Sequence, residues 1–454
     1  MDIQEIRASE KNKNQVSIGN FLSSFISKRS QRIGKEIIVI GLGQAMAMVG
    51  GLVGVRILTE LLNPKNYGQL ALAMTMVAFT NKAVFGPISG GAMRYYASAA
   101  ESRDANKYID ALKGIITSSI GILISVGGII FFVLWLLIQP SWLMLGIFTL
   151  CFAIFSGLNS ILNSIQNAAR RRITVALHQG LASWSRFTFA AALIFLFNGA
   201  STSAMIGYSV AMIIVLSSQL FFFRKNSVIN VLDESDSGSE ISLWRKRILN
   251  YSWPFVIWSL VAWAQDASGR WALQFFGRFE EIGLYAVLYQ LGVYPIILAS
   301  TLILDLVAPI LYEQAGDASN QERMDNVFNL NRKITFLVIA ISGIVFVLSL
   351  LLHEIIFSIL VAVEYRSVSW LFPIMIFSSG IFAASQSMSL FIMSETKTYR
   401  LIAPKVITAF AGILLSFLGA YSFGVAGVVA GYSLFTVFQF AWIAILVGLS
   451  RRKL

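Results

Sequence analysis

The sequence predicts an all-α integral membrane protein: twelve transmembrane helices in two pseudo-symmetric six-helix bundles around a central cavity. Three observations lead there. Hydrophobic residues make up 56 % of the 454 residues and charged residues 13 %, against roughly 45–50 % and about 25 % in average soluble chains. Mean hydropathy is +0.72. The apolar residues gather in twelve runs, most of them near the length of about 20 residues that a crossing helix needs. Only helices and closed barrels satisfy the backbone inside lipid, and these runs lack the alternation of barrel strands. The composition excludes a soluble enzyme, a disordered chain and a disulfide scaffold. Cys151 stands alone, so it forms neither an internal disulfide nor a metal cluster.

Residues 1–35 are polar and basic, and read as a retained cytoplasmic tail rather than a signal peptide. The first bundle is expected over 36–223, with spans at 36–58, 68–91, 114–138, 141–165, 174–197 and 203–223. Span one carries Gly50, Gly51 and Gly54, which permit close helix contact, and Arg56 near its outer end. Span two carries Lys82, followed by Gly86-Pro87, a pair able to open the helix. Short gaps at Pro140 and Asn198 make spans three and four, and five and six, hairpins. Arg186 lies near the middle of span five, and His178 near its inner end. Residues 224–250, basic at both ends and acidic in the centre, read as a cytoplasmic linker.

The second bundle is expected over 251–448, with spans at 251–276, 282–308, 334–352, 369–393, 401–421 and 424–448, before a cytoplasmic tail over 449–454. Span seven holds Asp266 and Arg270, four apart and able to pair along one face. It also holds Trp253, Trp258 and Trp263, whose five-residue spacing scatters them around the helix and favours packing. Asp305 falls near the inner end of span eight. Residues 355–368 look amphipathic and are expected to lie in the outer interface. Trp135, Trp142, Trp244 and Trp370 sit at span ends, as an aromatic belt requires. Gly427 and Gly431 bring span twelve close to a neighbour.

The loop charges set the orientation. With the N-terminus inside, the cytoplasmic segments hold 28 of the 35 Lys and Arg, counting Lys405 at the edge of span eleven with its loop. The outside loops hold Lys65, Arg278 and Arg366. Both termini are therefore expected in the cytoplasm. The net charge of +12 follows from this bias and implies no nucleic-acid partner.

The halves echo each other. Arg56 precedes Asn66-Tyr67-Gly68 at the opening of span two, and Arg270 precedes Ile282-Gly283-Leu284-Tyr285 at the opening of span eight. Six spans per half give both halves one polarity, a parallel repeat of the kind that encloses a substrate path. The run Val55–Ala73 (VRILTELLNPKNYGQLALA) resembles the N-terminal signature of polysaccharide and O-antigen flippases of the multidrug/oligosaccharidyl-lipid/polysaccharide exporter superfamily. So do Gly90–Tyr96 (GGAMRYY), the repeat from Arg270 to Tyr285, and the glycine-rich Gly424–Gly431. The resemblance implies a bacterial or archaeal cytoplasmic-membrane transporter that needs no cofactor. Its implied substrate is a polyprenyl-pyrophosphate-linked oligosaccharide moved to the outer leaflet for lipopolysaccharide or other polysaccharide assembly. Membrane lipids and other assembly proteins are the implied partners, with one copy sufficient for function.

Ionisable residues at membrane depth are costly and face a cavity or a partner. Arg56, Lys82, Arg186 and Arg270 are expected to line a cationic cavity that holds the pyrophosphate. Asp266 and Asp305 are candidates for ion coupling or an ion pair. The chief alternative is a cation-coupled multidrug exporter of the same superfamily, which those carboxylates would suit. A membrane polysaccharide polymerase is the enzymatic alternative, but such enzymes carry a long outer loop and the outer loops here are short. The absence of a P-loop argues against direct ATP drive.

Overall fold

The computed structural model describes residues 41 and 43–452, apart from 103, 138–139, 198–199, 227–237, 317, 319 and 396. The expected N-terminal tail and the centre of the expected linker lie outside these residues. The described chain is helical: α1 (Gly43–Leu61), then α2 (Pro64–Thr80), a π turn (Asn81–Phe85), α3 (Gly86–Glu101), α4 (Ala105–Leu137), α5 (Pro140–Ala168), α6 (Arg172–Leu196) and α7 (Ser201–Asn226). There follow α8 (Gly238–Phe275), α9 (Phe279–Gly292), α10 (Tyr294–Ala315), α11 (Gln321–Leu360), a 3₁₀ segment (Val363–Leu371), α12 (Phe372–Ser394) and α13 (Ile402–Arg452).

Where described, the residues of the predicted spans are helical or in the 3₁₀ segment, apart from the break at Val293 and single residues at span ends. Nine segments are long and apolar enough to cross a bilayer among the described residues. The last of these contains two predicted spans, joined where Gly424 adopts φ 60°, a left-handed conformation that glycine takes without penalty. The resulting hairpin is tight, with Gly419 and Gly427 backbone to backbone. Two legs, α6 and α8, coincide with predicted spans without joining the nine. They carry Arg186 and the Asp266/Arg270 pair, charges that dilute their hydropathy.

Sequence chemistry explains the breaks. Asn63 caps α2 by accepting the Asn66 N–H at 2.9 Å, and Pro64 follows where no amide donor is needed. The π turn precedes Gly86-Pro87, and the Gly86 N–H donates to Asn81 O, five residues back. One widened turn thus absorbs a proline that a regular helix would reject. Val293 separates α9 from α10 just ahead of Pro295.

Within the first part of the chain α5 packs against α2, α3 and α7, and α7 against α6. Within the second, α12 packs between α11 and α13 and against α10. The two parts meet along α2 against α9, while α8 touches α3 and α4 at one end and α13 along its length. Ile129, Phe195 and Leu351 stand exposed on the outer face, as expected of side chains that face lipid rather than water.

Several expectations change. Residues 238–250, read as linker, are the first turns of α8, and Trp244 is buried against Tyr95 and Tyr108 rather than standing in an interfacial belt. Lys107 forms an ion pair with Glu240 there. Of residues 355–368, expected in the outer interface, 355–360 end α11 and 363–368 belong to the 3₁₀ segment, with one face packed on protein and Val363 exposed on the other. Tyr365 is fully buried and donates its hydroxyl to Leu62 O at 2.6 Å. Lys405, counted with a cytoplasmic loop, instead turns into the bundle, 3.3 Å from Gln386 and over the Trp258 ring.

Candidate functional site

A cavity of about 680 Å³ lies between the two parts of the chain, bounded by α1, α2, α5, α6, α7, α8 and α9. Its α8 wall is the helix face carrying Trp263, Asp266, Ala267 and Arg270, spaced three and four apart. Two indole bonds fix that face. Trp263 Nε1 donates to Thr75 O at 2.8 Å, and Trp271 Nε1 to Thr75 Oγ1 at 3.0 Å. Asp266 is thereby held opposite α2. The π turn presents Lys82 to it, and the Nζ–Oδ2 distance is 2.6 Å. The sequence suggested pairing Asp266 with Arg270 along one helix. The structure pairs it instead with Lys82, across the cavity.

Arg270 is left without that carboxylate. Its guanidinium stacks 4.7 Å from the Tyr289 ring, and its buried Nε finds no acceptor among the described residues. Buried charged donors normally have partners, and this one stands out for lacking one among the described residues. Arg186 on α6 donates its Nε to Ala182 O of its own helix and lies 5.8 and 5.9 Å from the Phe187 and Tyr208 rings. Three cations and one carboxylate line the cavity among the described residues.

Arg56 is not part of this lining. It donates to Val361 O at 2.6 Å and pairs with Glu60, tying α1 to the turn after α11. It locks one end of the cavity instead of facing its contents. Asp305 lies on α10, and its side chain is outside the described residues.

That locked end is built from the repeated motifs. Gly68 of α2 lies against Gly283 of α9, and a Cβ on Gly68 would stand 2.9 Å from Gly283 N. A Cβ on Gly283 would meet the Pro64 carbonyl. The equivalent glycines of the two halves thus face each other, as a pseudo-twofold contact requires. Tyr67 packs edge-on to Tyr365, and Ala362 N–H donates to Thr59 Oγ1. The charge count assigns this end to the outside.

The α5 wall was not anticipated from sequence. Ser156, Asn159, Ser160, Asn163, Ser164 and Asn167 all line the cavity. The signal was available: the asparagines recur every four residues, which places them on one helix face. A search for charges passes over it.

These features describe an all-α, multi-pass membrane protein whose fold is like that of solved transporters of the MOP superfamily. Among solved structures, a lipid II flippase MurJ in an inward closed conformation has a TM-score of 0.68 at 13 % identity, covering 90 % of this chain and 87 % of that one. An inward-facing multidrug resistance MATE family transporter has 0.63 at 12 %, covering 92 % and 99 %. A MATE transporter from Vibrio cholerae has 0.60 at 15 %, covering 93 % and 97 %. No curated protein sequence matches significantly. The family model described as polysaccharide biosynthesis protein matches residues 33–314, more than half of the chain. The chain belongs to that family.

Proposed function

We infer that the protein carries a polyprenyl-pyrophosphate-linked oligosaccharide from the cytoplasmic to the outer leaflet by alternating access, for polysaccharide assembly. The observation that carries this reading is Arg270, a cation lining a membrane-depth cavity whose Nε has no acceptor among the described residues. Arg186 adds a second cation, and the Lys82–Asp266 pair a third charge centre that can rearrange. A pyrophosphate suits such a site, because arginine binds phosphate oxygens in pairs.

The need for a path is energetic. Each hydroxyl left unpaired costs about 4–8 kcal/mol on transfer from water to alkane, so sugars do not cross lipid unaided. A polar cavity removes most of that cost while the polyprenyl tail stays in lipid. Moving one charge through 100 mV is worth about 2.3 kcal/mol, so the membrane potential favours outward movement of an anion. In this reading one copy suffices, with both termini in the cytoplasm. In the expected orientation the closed end then faces outward. Two six-helix halves, 36–223 and 251–448, would rock against each other, parting the Gly68–Gly283 contact when the outer end opens.

An exporter of cationic drugs is the competing reading, supported by the MATE-like fold. Asp266 disfavours it, since its carboxylate is already neutralised by Lys82. The test is made in cells lacking the protein. The complete lipid-linked repeat unit should accumulate on the cytoplasmic leaflet, and the wild-type chain, but not Arg270→Gln, should clear it. Unpolymerised units on the outer leaflet would point to a polymerase instead.

A further inference from the structure

We propose that the α5 face is a saccharide-binding shelf, holding the sugars of the substrate while the cations hold its phosphates. This deepens the functional reading above and rests on it. The shelf residues are Ser156, Asn159, Ser160, Asn163, Ser164 and Asn167, all lining the cavity. From Asn159 to Asn167 the helix rises about 12 Å at 1.5 Å per residue, room for more than one sugar ring. The shelf carries no charge. Amides and hydroxyls donate and accept together, which is what a neutral, hydroxyl- and acetamido-bearing sugar requires.

Residues behind the shelf hold it in place. Gln219 Nε2 donates to Asn163 Oδ1 at 2.6 Å, which aims the Asn163 amide N–H groups away from α7. Asn81, in the π turn, donates to Ser156 Oγ at 3.1 Å. Ser160 lies 3.5 Å from Ser89. Asn159 is only 7 % exposed, yet its Oδ1 has no hydrogen-bond partner among the described residues. Such a buried acceptor costs stability unless something satisfies it, and a sugar hydroxyl is a fitting donor. Gln44 of α1 and Gln179 of α6 add further uncharged groups to the lining.

Position orders the substrate. In the predicted orientation α5 runs inward, so Asn159 to Asn167 lie toward the cytoplasmic mouth. Arg270, late in α8, lies toward the closed end. The sugars would therefore trail the pyrophosphate toward the cytoplasm, the same polarity that they have in the inner leaflet.

Two probes test this in lipid nanodiscs: undecaprenyl pyrophosphate, and the same carrier bearing di-N-acetylchitobiose. Quenching of tryptophan fluorescence reports binding, because Trp263 lines the cavity. The wild type should bind the glycosylated carrier about tenfold more tightly, the equivalent of one or two hydrogen bonds. In Asn159→Ala, Asn163→Ala and their combination that ratio should fall toward one. In Arg270→Gln both affinities should drop with the ratio kept. The single substitutions keep the ratio readable if the double variant does not fold. A wild-type ratio near one, or a ratio untouched by the asparagine changes, would overturn the shelf and leave the pyrophosphate reading standing. If the wild type binds neither probe, the functional reading itself fails.

Discussion

Lys82 and Asp266 are 184 positions apart in sequence and 2.6 Å apart in space, so their pairing decides the cavity charge that a substrate meets. Both side chains are partly open, at 37 % and 42 %, so the bridge itself contributes about 1 kcal/mol or less to stability. Its larger effect is on charge. Asp266→Asn should free the lysine and strengthen undecaprenyl pyrophosphate binding several-fold. Lys82→Met should expose the carboxylate and weaken binding by a similar factor. Titrations of the purified variants check both signs, and matching shifts in one direction would show that charge is not what the cavity reads. Sequence marked these residues because an ion in an apolar run is conspicuous. It could not give their partners, because an i,i+4 neighbour is visible in one helix while a partner on another helix is not. Arg56 shows the converse: conspicuous for the same reason, it serves the closed end through Val361.

Among the elements, the closed end is where local geometry controls a large movement. α2 and α9 approach through Gly68 and Gly283, and any side chain at Gly283 collides with the Pro64 carbonyl. Gly283→Leu should therefore prop this end open. In a Cys151→Ser background, a cysteine at Gln290 inside the cavity should then react with a membrane-impermeant maleimide from the outside. The parent should stay protected, and equal protection in both would remove the gate. Residues 363–371 belong to this gate as well, with Tyr365 bonded to Leu62. Amphipathicity over 355–368 shows that one face must be covered, and protein covers it at Tyr365. The π turn was partly legible: Gly86-Pro87 announced a disturbed helix, while the one-residue widening that turns Lys82 toward Asp266 needed coordinates.

For the whole molecule, the positions of the legs were legible because lipid imposes a single requirement: about 20 apolar residues with their backbone bonds closed internally. The two legs that fall short of that requirement, α6 and α8, carry Arg186 and Arg270, and these cavity-lining charges blur the signal there. The echo between halves marked the glycines that meet at the gate, and its meaning followed only when α2 and α9 were seen in contact. The central claim is that this cavity carries a pyrophosphate-linked saccharide through the bilayer. Purified protein in liposomes loaded with undecaprenyl-pyrophosphate-linked oligosaccharide tests it most directly, with lectin access to the opposite leaflet as the readout. The account predicts translocation by the wild-type chain and at least about a tenfold loss in Arg270→Gln, the scale of one lost charge-assisted contact. Equal rates in the two proteins, or none above empty liposomes in either, would contradict it.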